Sequence, residues 1–105
     1  MLFRSVARTE GRYLLGVSAF WRGDLRDARR HLEEAIEGYD LSHRDEHLSL
    51  YAQDPLVICR VRLALVELWE GNTDMATELA RSALDTAADA DHLTTRWYEI
   101  GRAHV

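Results

Sequence analysis

The chain nearly repeats itself once, with a constant spacing between equivalent residues. Gly71 follows Gly23 by 48 positions (71 − 23), and Ala76 follows Ala28 by the same number. The recurring residues are small or apolar: Leu15, Gly16, Gly23, Ala28, Leu32 and Ala35, then Leu63, Ala64, Gly71, Ala76, Ala80 and Ala83. A repeat of this kind around a glycine-polar turn is typical of stacked helical hairpins. We therefore predict an all-α fold in which these residues pack the helices together.

The first hairpin is predicted from apolar periodicity and from its turn residues. Apolar side chains at three- and four-residue steps indicate a helix over about 3–21, ended by Gly23. Asp24 can cap a second helix, which Gly38 ends. The short connection makes the two helices antiparallel. Gly16 lies in the middle of the first helix, where it costs about 1 kcal/mol relative to alanine, so we expect a neighbouring helix to approach closely there.

A polar connector at 39–53 separates the two hairpins, with a short helical turn expected near 45–50. Asp54-Pro55 opens the next helix, because aspartate is a preferred N-cap and proline is accepted in the first helical turn. Gly71-Asn72 closes that helix. Its apolar residues occupy much of its circumference, which is typical of a helix lying between two neighbours.

The alanine-rich segment from about 73 to 88 predicts the second helix of the second hairpin. Asp91 is then expected to cap a third helix over 92–98, whose partner is missing. The expected architecture is therefore two hairpins and part of a third.

The net charge and the single cysteine limit the functions and locations that the chain can have. The net charge of −5 argues against a nucleic-acid surface, which is normally basic. Cys59 is the one cysteine, so an internal disulfide is impossible and a cytoplasmic location fits. Its apolar surroundings favour a small buried side chain over a nucleophile. No stretch is long and apolar enough to indicate a membrane span or a signal peptide.

No arrangement of residues predicts an enzyme, a metal site or a cofactor site. His43-Arg44-Asp45 matches a kinase triplet, but the downstream asparagine and a glycine-rich loop are missing. His43 and His47 could share a helix face, yet no further ligand has zinc-site spacing, so a solvated connector is favoured. Glu33 and Glu34 are adjacent on a helix and diverge in direction.

Trp21 and Trp69 also occupy equivalent positions, each at the end of a first helix and beside the turn. A repeated structural role is indicated. We favour packing over ligand binding, because tryptophan is more often used for its large buried area.

The small-large-small pattern resembles the tetratricopeptide repeat. The matching residues are Leu15, Gly16, Ala28, Leu32 and Ala35 in the first hairpin, and Leu63, Ala64, Ala76 and Ala83 in the second. The 48-residue period (71 − 23) is longer than that of the family, and the proline that closes each repeat is absent. The resemblance implies a right-handed superhelix whose first helices line the concave side, and binding of protein partners.

A narrower resemblance lies in the helices around the connector. The chain is similar here to tetratricopeptide regions of bacterial signalling proteins that join a class III adenylate/guanylate cyclase-like domain to an ATPase module. Related regions also follow ATPase modules in transcriptional regulators and kinases. The matching positions are 31–35, 39–40, His47, 51–57 and 64–71. That group usually has glycine in place of Ala52. The resemblance implies a scaffolding or intramolecular regulatory segment of a larger ATPase-containing signalling protein. The alternative is an effector- or peptide-binding sensor domain of a transcriptional regulator; the absence of lysine and the single asparagine, Asn72, give it little support.

The last seven residues, 99–105, match the translation of a common sequencing adapter. We expect a helical-repeat fragment over 1–98 followed by a non-native tail, with a natural tail as the alternative. Because about three repeats are usually needed for stability, the isolated fragment should be marginally stable and should self-associate through its exposed ends.

Overall fold

The computed structural model describes the backbone of residues 2–103 and the side chains of residues 4–89. Within residues 2–103 the chain forms helices and no strand, so the predicted all-α class is confirmed. The helices are α1 (Leu2–Trp21), α2 (Leu25–Gly38), α3 (Arg44–Tyr51), α4 (Pro55–Trp69) and α5 (Thr73–Ala103). A short 3₁₀ helix, Leu41–His43, precedes α3.

The predicted turns and caps are confirmed where the chain reverses direction. Gly23 and Gly71 have φ of +81° and +87°, the left-handed conformation that glycine adopts at low cost. The Asp24 side chain accepts a hydrogen bond from the Asp27 amide at 3.1 Å, which caps α2. Asp54 caps α4 in the same manner, accepting from the Leu56 amide at 3.1 Å.

The connector contains more helix than the predicted single turn, since the 3₁₀ segment and α3 together span 41–51. Ala52 ends α3 with φ of +57°, a conformation that favours glycine.

The predicted break between 88 and 91 is wrong. The helix α5 runs without interruption through Asp91, so no separate third helix begins there. The segment Ala87-Ala88-Asp89-Ala90 contains neither glycine nor proline, and alanine favours helix more than any other residue. Asp91 can cap the start of a helix, but without a glycine or proline before it the preceding helix continues through it.

The first hairpin pairs α1 and α2 in antiparallel directions. Thr9 Oγ1 lies 3.5 Å from the carbonyl oxygen of Gly38, and further along the helices Gly16 faces Leu32. In the second hairpin, Arg60 of α4 reaches Thr86 of α5. The helix α4 packs against α2 and α1 as well as α5, so it joins the two hairpins.

The core lies among α1, α2 and α4. Its buried members are Ala19, Phe20, Ala28, Leu32, Ala35, Cys59, Leu63 and Val66. Cys59 is only 1% exposed, as expected for a small buried side chain. Burial raises the pKa of its thiol to about 12, so it is a poor source of nucleophilic thiolate.

Two of the predicted packing residues are exposed. Leu15 is 54% exposed, whereas its equivalent, Leu63, is buried. Ala80 is exposed, whereas its equivalent, Leu32, is buried. The difference is positional: Leu63 and Leu32 belong to the core among α1, α2 and α4, with Leu32 packed on Gly16 of α1, whereas Leu15 and Ala80 lie outside that core. The remaining predicted residues divide into the exposed turn glycines, Gly23 and Gly71, and the buried Gly16, Ala28, Ala35, Ala64, Ala76 and Ala83.

None of the helices in the range 2–103 combines the length and the apolar character needed to cross a membrane.

Candidate functional site

An exposed group of aromatic rings lies where α1 and α4 end side by side. We call it the aromatic cluster, and it consists of Phe20, Trp21, Trp69 and Arg62. The ring centroids of Phe20 and Trp21 are 5.6 Å apart in an edge-to-face arrangement, and those of Phe20 and Trp69 are also 5.6 Å apart. The Arg62 guanidinium carbon lies 5.4 Å from the Phe20 centroid and 5.1 Å from that of Trp21.

The helix ends hold the two tryptophans in equivalent places. Trp21 is the last residue of α1 and Trp69 the last of α4, and each precedes a turn containing a left-handed glycine. Phe20 is 6% exposed and belongs to the core, so it fixes the position of the rings around it. The cluster is thereby attached to the rigid part of the molecule and not to a loop.

The structure differs from the packing role that we favoured for the tryptophans. Trp21 is 69% exposed and Trp69 is 65% exposed, so most of each indole is in contact with solvent. Contact with Phe20, edge-to-face for Trp21 and tilted for Trp69, accounts for their orientation, but not for placing two large apolar rings at the surface. Tryptophan and arginine are the residues most enriched among those that dominate binding at protein interfaces.

Arg62 changes the chemistry of this surface. A guanidinium group over aromatic faces is attracted by their negative π-electron density, which holds it in place at about 0.5–1 kcal/mol when exposed. Arg62 is the cation of the cluster and is half-buried. The cluster therefore offers a flat apolar surface together with N–H groups that can donate hydrogen bonds to a backbone carbonyl or a carboxylate.

A second group of polar residues locks the two hairpins together. Arg29 of α2 pairs with Glu67 of α4, and its other terminal nitrogen lies 2.8 Å from a carboxylate oxygen of Glu70. Glu67 is 5% exposed, and its carboxylate also accepts a hydrogen bond from the side-chain Nδ2 of Asn72 at 2.7 Å. The hydrogen bond from Arg29 lowers the pKa of Glu67, and the same bond raises that of Arg29.

Sequence reasoning missed this ion pair, because the equivalents of Arg29 and Glu67 under the repeat are Thr77 and Ala19. The pair therefore belongs to this one junction. Its signal in the sequence was a glutamate within the apolar face of α4, which sequence alone could not match to an arginine 38 residues earlier (67 − 29).

His47 is buried, although the connector was expected to be solvated. Its Nδ1 lies 3.1 Å from Glu10 Oε1 of α1, and its ring stacks on Tyr39 with centroids 5.4 Å apart. At 1% exposure the imidazole is enclosed by protein, so it anchors α3 to α1 and is inaccessible to a substrate. Burial also raises the pKa of the Tyr39 phenol to about 12. Within the part of the chain whose side chains are described, no cluster of three His, Cys, Asp or Glu residues could hold a metal ion.

Comparisons of the chain with protein-family models, with curated proteins and with solved structures find no match.

Proposed function

We propose that the chain is a protein-interaction module that binds its partner through the aromatic cluster. In this proposal α1–α2 and α4–α5 are two tetratricopeptide-like repeats within a right-handed superhelix, and α1 and α4 line its concave side. The module serves as a scaffolding or intramolecular regulatory segment of a larger ATPase-containing signalling protein in the cytoplasm. It acts by presenting shape and side chains, without catalysis or a cofactor.

The observation that carries the proposal is the exposure of Trp21 and Trp69 on a rigid support. Trp21 is 69% exposed and Trp69 is 65% exposed, so both indoles present apolar surface that water solvates poorly. Covering such rings on binding is worth about 1.5–3 kcal/mol for each. Arg62 adds a positive charge fixed at the same place. A partner segment with a large apolar residue beside an acceptor group matches this combination.

Selection of binders from a random-peptide phage library tests the proposal. Selected peptides should bind the wild-type chain and lose at least about tenfold in affinity for the double variant Trp21→Ala/Trp69→Ala, since tenfold corresponds to 1.4 kcal/mol. Isothermal titration with synthetic versions of the peptides gives the affinities.

The matched control is Leu41→Ala/Leu50→Ala, which removes apolar side chains that are 62% and 55% exposed elsewhere. Its affinities should equal those of the wild type. Peptides that bind the tryptophan variant and the wild type equally well would contradict the proposal, as would a selection that yields no saturable binder.

We also propose that a second copy of the chain can cover its outer faces. Leu84, 72% exposed, is the equivalent of Ile36, and Leu15 is the equivalent of Leu63. Ile36 and Leu63 line one groove where the hairpins meet. A second copy that brings its Leu84 to Leu15 would reproduce that arrangement between molecules.

Sedimentation velocity at increasing concentration should show reversible self-association of the wild type. Leu15→Glu and Leu84→Glu should each lower the association constant by about tenfold or more, because association would then bury a carboxylate in an apolar contact. Leu50→Glu, at a comparably exposed position outside both faces, is the control and should leave association unchanged. A wild type that stays monomeric at every concentration would rule this proposal out.

A further inference from the structure

A second surface, separate from the aromatic cluster, lies between α2 and α5 with α4 as its floor. Its apolar lining includes Ile36 of α2, Leu63 of α4, and Met75 and Leu79 of α5. An adjoining depression shares Met75 and continues past the turn at Gly71. We call the two together the acidic groove. Arg62 and Trp69 lie seven residues apart on one face of α4, whereas Arg60, Leu63 and Glu67 lie on another, so the two surfaces are distinct.

Most of the net negative charge of the chain is accounted for by the residues lining this groove. Its lining includes six carboxylates, from Glu33, Glu37, Glu67, Glu70, Asp74 and Glu78, and two guanidinium groups, from Arg29 and Arg60. Two positive charges less six negative charges leave −4, against −5 for the whole chain. The rest of the chain, with 11 arginines (13 − 2) and 12 acidic residues (18 − 6), is nearly neutral.

The two guanidinium groups are already engaged. Arg29 pairs with Glu67 and Glu70, and Arg60 donates to Thr86 Oγ1 at 2.5 Å. By contrast, Glu37 and Glu78 form no ion pair with any residue between 4 and 89. Uncompensated carboxylates therefore stand on both α2 and α5, on opposite sides of an apolar floor.

From this charge complementarity we propose that the acidic groove binds a basic amphipathic helical segment of a partner protein. Glu33 and Glu37 are four residues apart on one face of α2, and Glu33 already lies 3.6 Å from the Arg29 guanidinium. Glu37, one turn further along, can meet a basic residue of a helix lying alongside. Glu78 faces the same groove from α5. Met75, 54% exposed and unbranched, can adapt to an apolar side chain inserted between the charges. The binding mode is that of an amphipathic helix in a groove.

The probe is a fluorescein-labelled synthetic amphipathic helix with leucine on one face and lysine on the other. It is titrated with the whole 105-residue chain, and binding is followed by fluorescence anisotropy. Saturable binding is expected, and it should weaken as salt is raised because the contacts are partly electrostatic. Glu37→Gln/Glu78→Gln should lose about tenfold in affinity. Met75→Ala should also weaken binding, since it removes apolar contact without changing charge.

The matched control is Asp45→Asn/Glu46→Gln, which removes the same amount of charge from α3, at a surface separate from the groove. It should lose less than about twofold, as expected of distant, screened charges. Equal losses in the two charge variants would show binding by overall charge alone and would overturn the proposal. An absence of saturable binding would overturn it as well.

Two further measurements separate this inference from the earlier proposals. Trp21→Ala/Trp69→Ala should bind the basic helix as tightly as the wild type, so a failure at the aromatic cluster leaves the groove unaffected. If Glu37→Gln/Glu78→Gln instead abolishes self-association in sedimentation experiments, the occupant is a second copy and the assignment to a partner helix is wrong.

Discussion

Replacing Gly16 by alanine should lower the free energy of unfolding by about 2 kcal/mol, even though alanine favours helix over glycine by about 1 kcal/mol. A Cβ atom at this position would lie 2.7 Å from Leu32 Cδ2 and 2.8 Å from Leu32 Cγ. Leu32 is fully buried in the core, so its side chain cannot move aside without disturbing the atoms around it. The added methyl group must therefore push α1 away from α2.

Gly11 provides the matched control in the same helix. A Cβ atom there meets nothing within 4 Å, so Gly11→Ala should gain about 0.5–1 kcal/mol from helix propensity alone. Urea unfolding followed by circular dichroism gives both values. If the two alanine variants were stabilised equally, α1 and α2 would not be in close contact at Gly16.

Replacing Glu67 by alanine should cost about 3 kcal/mol, the larger of the two effects. The carboxylate is 5% exposed and accepts from both Arg29 and the Asn72 amide, so its loss leaves donors without their acceptor. Glu70→Ala is the control, because Glu70 contacts the same arginine from a position whose side chain is 36% exposed. That variant should lose less than about 1 kcal/mol. Similar losses in both variants would contradict a junction held by the buried pair.

The same ion pair makes stability depend on pH in a defined direction. The pKa of Glu67 is lowered in the folded state, chiefly by the hydrogen bond from Arg29. The stabilisation of the folded state by ionised Glu67 is therefore complete above the ordinary glutamate pKa of about 4.3. It is lost as the pH falls toward the lowered pKa that Glu67 has in the folded state. Between about pH 6 and pH 3 the wild type should lose more stability than Glu67→Gln, which cannot ionise at this position. Parallel losses would show that Glu67 is not the titrating group.

Local sequence signals predicted the helix boundaries at Gly23, Asp24 and Asp54-Pro55, and failed at Asp91 in α5. Gly23, Asp24 and the Asp54-Pro55 pair act through their own backbone conformation and side-chain reach, so each is recognisable without knowing its neighbours. At Asp91 the same reasoning predicted a cap inside a continuous helix. An aspartate can occupy a helix interior at modest cost, so its presence alone does not place a boundary.

The candidate surfaces were only partly predictable. The repeat identified Trp21 and Trp69 as equivalent positions and favoured a buried packing role for both. In the structure both side chains are exposed. The acidic groove was not predicted at all. Its carboxylates are separated by as many as 45 residues in the sequence, from Glu33 to Glu78 (78 − 33). They line one groove because α2 and α5 both pack against α4.

The sequence by itself determined that the chain is helical and where it turns, because glycine conformation, aspartate capping and apolar periodicity operate over a few residues. Only the tertiary structure decided which member of each equivalent pair is buried. Leu63 and Leu32 belong to the core among α1, α2 and α4, whereas Leu15 and Ala80 lie outside it. Tertiary contacts also brought Arg29 to Glu67 and His47 to Glu10. Burial and ion pairing depend on atoms supplied by distant segments, and no local pattern specifies which segment will supply them.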